Sequence, residues 1–133
     1  MIFPYKKFSE SKTAPIVPLH LRGRSRWILF DAFVDSGADY SVFHEKVALM
    51  LGLKMASGLK KVVMVGDGDD MTVYVHPVQV KFADFVFKAP IAFSTDLGSG
   101  FNLVGRKGFF DRFQFCFNDR AKTVRATKLV GRT

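Results

Sequence analysis

The stretch that decides the fold is Phe33-Val-Asp-Ser-Gly-Ala-Asp39, which ends an apolar run rich in β-forming residues. Asp35 stands where the run stops, and Gly37 lets the backbone turn sharply. A carboxylate at the end of an apolar strand is partly desolvated, so its proton affinity is open to adjustment. Ser36 offers a hydroxyl to the neighbouring backbone, and Ala38 leaves room for an extended ligand. The stretch therefore predicts a carboxylate site, and a plain turn after a strand is the alternative.

The chain on both sides of this stretch consists mainly of short β-forming segments separated by turns. Helical spacing occurs after Ser41, a candidate N-cap, up to Gly52, and again over residues 108–113. The pattern predicts an all-β domain with one or two short helices. Paired β-forming segments predict hairpins over residues 15–34, 60–75, 78–93 and 113–129, with a short strand over 101–104.

Composition limits what kind of protein this is. The chain has 133 residues, 48% of them apolar and 15 of them Phe, which is enough apolar surface for one globular domain. We expect that domain over residues 15–133, after a flexible basic arm over residues 1–14. The composition excludes extensive disorder and a membrane-spanning helix. No secretory segment is apparent at the N-terminus, and the single cysteine predicts a reducing compartment, the cytoplasm. Cys116, the single cysteine, cannot form an internal disulfide and is predicted to lie in the core.

The net charge of +8 is unevenly distributed, with basic ends and an acidic middle. Basic ends occur in nucleic-acid-binding proteins, but no cluster here has the density of a nucleic-acid arm. We therefore interpret the ends as solvated surface and expect no nucleic-acid partner. The three histidines, His20, His44 and His76, lie far apart in the sequence without metal-ligand spacing. The sequence predicts neither a metal nor a cofactor.

Several motifs in order resemble the retropepsins, the single-domain aspartic proteases of retroviral type and their bacterial and cellular relatives. The family pattern of two apolar residues, Asp, Thr or Ser, Gly and Ala appears as Phe33-Val-Asp-Ser-Gly-Ala38, and the extension Asp39-Tyr-Ser-Val-Phe43 is also similar. The second family element, an apolar pair followed by Gly and Arg ahead of a short helix, appears as Leu103-Val-Gly-Arg106. A glycine-tipped hairpin over about residues 62–75 matches the family's flap. The resemblance covers roughly residues 15–129.

The resemblance implies an aspartic endopeptidase with the retropepsin barrel fold. Peptide hydrolysis by this route needs two carboxylates that share one proton. The chain contains one Asp-Ser/Thr-Gly triplet, so the second carboxylate has to come from Asp35 of another copy. The implied assembly is a C2 homodimer that acts on a peptide or protein substrate with its site on the two-fold axis.

The resemblance also assigns roles to the residues around Asp35. Ser36 would form a hydrogen bond across the dimer axis, and Gly37 would offer backbone groups to the substrate. Asp39 would contact the substrate backbone and pair with Arg106. The residues that would pack beneath the catalytic loop are Leu103, Val104 and Gly105.

The flap tip would close over an extended peptide. Its residues are Gly66, Asp67, Gly68, Asp69 and Asp70. Three carboxylates at this tip depart from the viral pattern and favour either basic substrates or slow closure of the flap.

Two other functions remain as alternatives. The same fold could bind an extended peptide without cutting it. A basic β-barrel could also bind nucleic acid, with an affinity that falls steeply with salt and does not depend on Asp35.

Overall fold

The predicted all-β class is confirmed. The computed structural model describes residues 1–64, 68–97 and 100–131. Within these residues it contains one α-helix, α1 (Glu45–Met50), a 3₁₀ turn (Met55–Ser57) and an irregular helical turn (Arg106–Phe110). The strands are β1 (Ile2–Pro4), β2 (Lys6–Lys7), β3 (Thr13–Ala14), β4 (Ile16–Arg22), β5 (Trp27–Val34), β6 (Ser41–His44), β7 (Leu59–Met64), β8 (Asp70–Phe82), β9 (Phe85–Ser94), β10 (Leu103–Val104), β11 (Phe113–Asn118) and β12 (Thr123–Lys128).

Seven strands form one sheet that curls back on itself. Their order is β4-β5-β10-β6-β9-β8-β7, and an additional pairing between β4 and β8 closes the barrel. Most pairs are antiparallel, but β10 runs parallel to β5, with Leu103 opposite Phe33 and Val104 opposite Val34. This short parallel contact sets the segment after β10 beside the end of β5, where Asp35 lies.

The predicted hairpins are present. Strands β4 and β5 pair from Ile16 with Phe33 to Arg22 with Trp27. Strands β8 and β9 turn through Ala83 and Asp84, which both have positive φ, at 50° and 69°. A two-residue turn of this kind matches the twist of paired strands.

Phenylalanine side chains fill much of the barrel interior. Phe43, Phe82, Phe93, Phe109 and Phe113 are all fully buried. Phe82 stacks with Phe113 edge to face, with ring centroids 5.1 Å apart. Offset and edge-to-face aromatic pairs add to the stabilisation that burial alone gives. Much of the high Phe content therefore supplies the core, although Phe8, Phe85, Phe101 and Phe117 are exposed.

The N-terminal residues are not the flexible arm that the sequence predicted. Strand β1 pairs with β12, with Phe3 opposite Val124. Phe3 is only 8% exposed and stacks on Phe82 at 5.5 Å. The local sequence pattern could not predict the pairing of β1 with β12, because the partner strand lies at the far end of the chain.

Tyr5 anchors the same segment. Its backbone N–H donates to the Lys122 carbonyl oxygen at 2.8 Å, and its hydroxyl donates to Asp119 at 2.8 Å. Burial, and then the hydrogen bond to the Asp119 carboxylate and its charge, raise the pKa of Tyr5 to about 12. The hydroxyl therefore keeps donating to Asp119 even at a pH where an ordinary tyrosine, with a pKa of about 10, begins to ionise.

Two local predictions are wrong. Ser41 does not cap α1; it begins β6, and the helix starts at Glu45 after the extended residue His44. Cys116 is exposed, since alternation along β11 puts it on the outward face while Phe113 and Phe115 face inward. The predicted end of the helix is confirmed, because Gly52 adopts φ +77°.

No helix in the described part of the chain is long and apolar enough to cross a membrane.

The contact of Phe3 with the core gives a stability prediction. Replacing Phe3 by Ala should lower the free energy of unfolding by about 3 kcal/mol, because it leaves a cavity against Phe82. Ile2→Ala is the matched control: the neighbouring side chain is 55% exposed, so its loss should cost less than about 0.5 kcal/mol. Urea denaturation of both variants measures the difference. Equal, small losses would show that β1 does not belong to the core.

Candidate active site

Asp35 lies at the first position of a tight loop that follows β5. Its backbone N–H donates to the Val104 carbonyl oxygen at 2.9 Å, which fixes the loop to β10. The Gly37 N–H donates to Asp35 Oδ1 at 2.9 Å, and the Ala38 N–H donates to the Asp35 carbonyl oxygen at 3.3 Å. The carboxylate is half-buried. The loop therefore holds this side chain in one orientation and leaves part of it open to a reactant.

The segment after β10 supports the loop from below. The backbone N–H groups of Arg106 and Lys107 donate to the carbonyl oxygens of Ala38 and Asp39, at 2.8 and 2.7 Å. Val104 is fully buried beneath the loop. The structure thus brings residues 103–106 together with residues 35–39, as the resemblance implied.

Gly105 permits this close approach. A Cβ atom at this position would lie against the Tyr40 carbonyl oxygen and 2.7 Å from the Ala38 carbonyl oxygen. The Gly105 N–H donates to Ser41 Oγ at 2.9 Å, and Ser41 is fully buried. The hydroxyl that the sequence suggested as a helix cap therefore joins the two halves of the site.

Asn102 is a further supporting residue that sequence reasoning missed. Its side-chain oxygen accepts from the His44 N–H at 3.1 Å, and its amide donates to the Asp31 carbonyl oxygen at 3.2 Å. Its own carbonyl oxygen accepts from the Phe33 N–H at 2.8 Å. No local signal marks this residue, because its partners come from distant strands.

The expected pair between Asp39 and Arg106 does not form within the chain. The Arg106 guanidinium instead donates to the Ser36 carbonyl oxygen at 3.3 Å, at the crest of the loop. Asp39, Ser36 and Gly37 are all exposed. The crest therefore presents polar groups outward, with Arg106 folded over it.

A cleft of about 680 Å³ opens over Asp35. The loop and β10 form one wall, and the β7–β8 hairpin forms the other. Its lining residues are Asp35, Gly37, Ala38, Asp39, Tyr40, Val42, Lys61, Val62, Val63, Met64, Met71, Leu103 and Lys107.

The predicted flap is the far end of this hairpin. Strand β8 begins at Asp70, which pairs with Met64. Gly68 has φ +89°, and both Asp69 and Asp70 are exposed. Gly66 and Asp67, which the sequence also placed at the tip, lie outside the described residues.

The described residues contain no cluster of three or more His, Cys, Asp or Glu side chains that could hold a metal ion. The described side chains that line the cleft include the carboxylate of half-buried Asp35, the carboxylate of exposed Asp39 and the cations of Lys61 and Lys107.

The close approach at Gly105 gives a prediction about the site. Gly105→Ala should lower the free energy of unfolding by about 1–3 kcal/mol, because the added methyl group must push the loop off β10. Gly131→Ala is the control, since a Cβ there meets nothing within 4 Å. Urea denaturation of both variants measures the change. A Gly105→Ala protein as stable as the control would contradict the packing described for the loop.

Three solved structures with a similar fold are a retropepsin-like protease, a retroviral protease-like domain and a protease solved with an inhibitor. The chain is similar to a retropepsin-like aspartic protease from Rickettsia conorii, with 16% identity, a TM-score of 0.64 and coverage of 93% of this chain and 95% of that one. The retroviral protease-like domain of Ddi1 from Leishmania major is 20% identical, with a TM-score of 0.60 and coverage of 90% and 97%. EIAV protease, solved in complex with the inhibitor HBY-793, is 17% identical, with a TM-score of 0.55 and coverage of 76% and 88%.

Comparison with curated protein sequences finds no significant match. A family model described as aspartyl protease matches residues 17–106, which is more than half of the chain and includes both the Asp35 loop and the β10 segment. With that match and the retropepsin-like fold, the chain belongs to the aspartyl protease family.

Proposed function

We propose that the protein is an aspartic endopeptidase that is active as a C2 homodimer. The observation that carries the proposal is the Asp35 loop, which holds one half-buried carboxylate over an open cleft. The family match supports a protease at a general level, and the dimer and its mechanism are the more specific part of the proposal.

A second carboxylate is needed because one group cannot act as acid and base at the same time. Asp39 is the other carboxylate among the described residues that line the cleft, but it is exposed and four residues along the loop. The sequence has no second Asp-Ser/Thr-Gly triplet. A two-fold axis beside the loop would supply an identical Asp35, held by identical hydrogen bonds.

The two Asp35 carboxylates would share one proton, because two carboxyl groups about 3 Å apart cannot both ionise easily. The ionised member takes a proton from a water molecule whose oxygen attacks the scissile carbonyl carbon. The protonated member gives its proton to the carbonyl oxygen, so that a tetrahedral diol forms. When the diol collapses, the carbon–nitrogen bond breaks, the protonated carboxyl gives its proton to the leaving nitrogen, and the ionised carboxylate takes a proton from a diol hydroxyl, so that the pair again shares one proton.

The β7–β8 hairpin would close over the substrate. A peptide that lies extended in the cleft can form backbone hydrogen bonds with a strand on either side, while its alternate side chains enter pockets. The mainly apolar lining of the hairpin wall, with Val62, Val63 and Met64, suits such side chains. Residues 68–70 would lie near the end that moves.

The proposal makes a prediction about the Asp35 carboxylate. Asp35→Asn should lower peptide cleavage by about a thousandfold or more, because the dyad loses its general base. Asp84→Asn is the matched control, since it makes the same chemical change in an exposed turn where φ is +69° and Asn is tolerated. Cleavage of a peptide library from about pH 3 to 8 measures the effect, in the range where carboxylate dyads work.

The wild-type rate should fall on both sides of an optimum, as the pair gains a second proton or loses the shared one. Equal cleavage by wild type and Asp35→Asn would contradict the role of Asp35. If the wild-type protein cleaves nothing, the endopeptidase proposal is wrong, and peptide binding without cleavage becomes the function to measure.

A mixing experiment tests whether two chains share one active site. When wild-type protein is mixed and equilibrated with a large excess of the Asp35→Asn variant, most wild-type chains should pair with variant chains, and activity should nearly disappear. The same excess of Asp84→Asn protein should not inhibit. Activity that persists in the Asp35→Asn mixture would show that one chain is sufficient for catalysis.

A further inference from the structure

The backbone after Gly105 places a lysine at the edge of the catalytic cleft. Lys107 has φ −68° and ψ 123°, which is extended rather than helical, although it lies within the turn Arg106–Phe110. Its N–H donates to the Asp39 carbonyl oxygen at 2.7 Å. The residue is therefore attached directly to the loop that carries Asp35.

Tyr40 holds the side chain of Lys107 in place. The Lys107 ammonium lies 4.4 Å from the centroid of the Tyr40 ring and 3.3 Å from its hydroxyl oxygen. An aromatic face attracts a cation without neutralising it. An ammonium has three donors, so this one keeps donors available for a ligand while its position is restricted.

Lys61 adds a second positive charge on the opposite wall. It is half-buried in β7 and lines the same cleft as Lys107. Within residues 1–64, 68–97 and 100–131, the ion pair present is the one between Lys6 and Asp31. Neither Lys61 nor Lys107 therefore pairs with a carboxylate in this part of the chain. Apolar side chains such as Val42 and Met71 lie between the two walls.

The cleft also carries the carboxylates of Asp35 and Asp39, on the loop beside Lys107. Asp69 and Asp70 are exposed and are not among the residues that line it. Among the described residues, the acidic side chains of the tip therefore do not line the cleft beside the two lysines.

We infer that the cleft selects peptides with an acidic side chain near the scissile bond, and that Lys107 determines this specificity. This inference rests on the endopeptidase function proposed above. A substrate carboxylate would accept a hydrogen bond from the ammonium of exposed Lys107 at the cleft edge, where bound peptide displaces water and strengthens the ion pair. Lys61 supports the same preference across the cleft, and Tyr40 is a positioning residue for Lys107.

The test is a charge-swap experiment with a positional library of decapeptides, in which each position in turn carries Glu, Gln or Lys. Wild-type protein should favour Glu over Gln by about tenfold at one or two positions near the cleaved bond, mainly through KM, as expected for a charge-assisted hydrogen bond. Lys107→Glu should remove this preference and favour Lys at the same positions. The wild-type preference should also weaken as salt increases.

Lys81→Glu is the matched control. Lys81 also lies over an aromatic ring, 4.7 Å from the centroid of Trp27, but it is outside the cleft. The same charge reversal there should leave the Glu-to-Gln ratio unchanged. Tyr40→Phe, which retains the ring, should keep most of the preference, whereas Tyr40→Leu should reduce it.

The outcomes separate this inference from the proposed function. Cleavage with no difference between Glu and Gln peptides, or a preference that Lys107→Glu does not alter, would overturn the inference and leave the endopeptidase intact. If no peptide is cleaved, the endopeptidase proposal fails, and binding of the same library to the Asp35→Asn protein decides the inference. The inference is supported if Asp35→Asn protein binds Glu peptides about tenfold more tightly than Gln peptides, and if adding Lys107→Glu reverses this order. Equal binding of Glu and Gln peptides, or no binding, would overturn the inference.

Discussion

The site depends on the short parallel contact between β10 and β5. The Val104 carbonyl oxygen accepts from the Asp35 N–H at 2.9 Å, at the point where β5 ends and the loop begins. A parallel pair directs both strands toward the same end of the sheet. Residues nearly 70 positions apart in sequence therefore leave the sheet side by side, and the second supports the loop formed by the first. Without this contact, Asp35 would lie on an unsupported turn.

That constraint explains which side chains the site tolerates. The backbone beyond Val104 passes so close to the loop that only glycine fits at position 105, and the buried Ser41 hydroxyl satisfies its N–H. The loop crest, with Ser36 and Gly37, is left exposed rather than covered by the rest of the chain. A carboxylate shared between two copies would need this arrangement, in which the loop is held rigidly from below and its outer residues are open to a second chain.

Much of this could be predicted from the sequence, because it is encoded locally. The Asp35 motif, the hairpins and the Leu103–Arg106 segment each carry their own signal in residue type and alternation. Strand β1 could not be found, since its partner β12 is distant and the segment itself is short. Two side-chain contacts also could not be predicted: that of Arg106 with Ser36 and that of Lys107 with Tyr40. Both depend on side-chain conformations that are fixed only when distant segments pack together.

The central claim is that each chain supplies half of one active site, and disulfide trapping tests it most directly. Two cysteines bridge when their Cα atoms are about 4.4–6.8 Å apart. In a Cys116→Ser background, which removes the one exposed thiol, Ser36→Cys should form a covalent dimer under mild oxidation, whereas Ser11→Cys, at an exposed position outside the site, should not. A Ser36→Cys protein that remains monomeric, or cross-links no faster than the Ser11→Cys protein, would contradict the shared site.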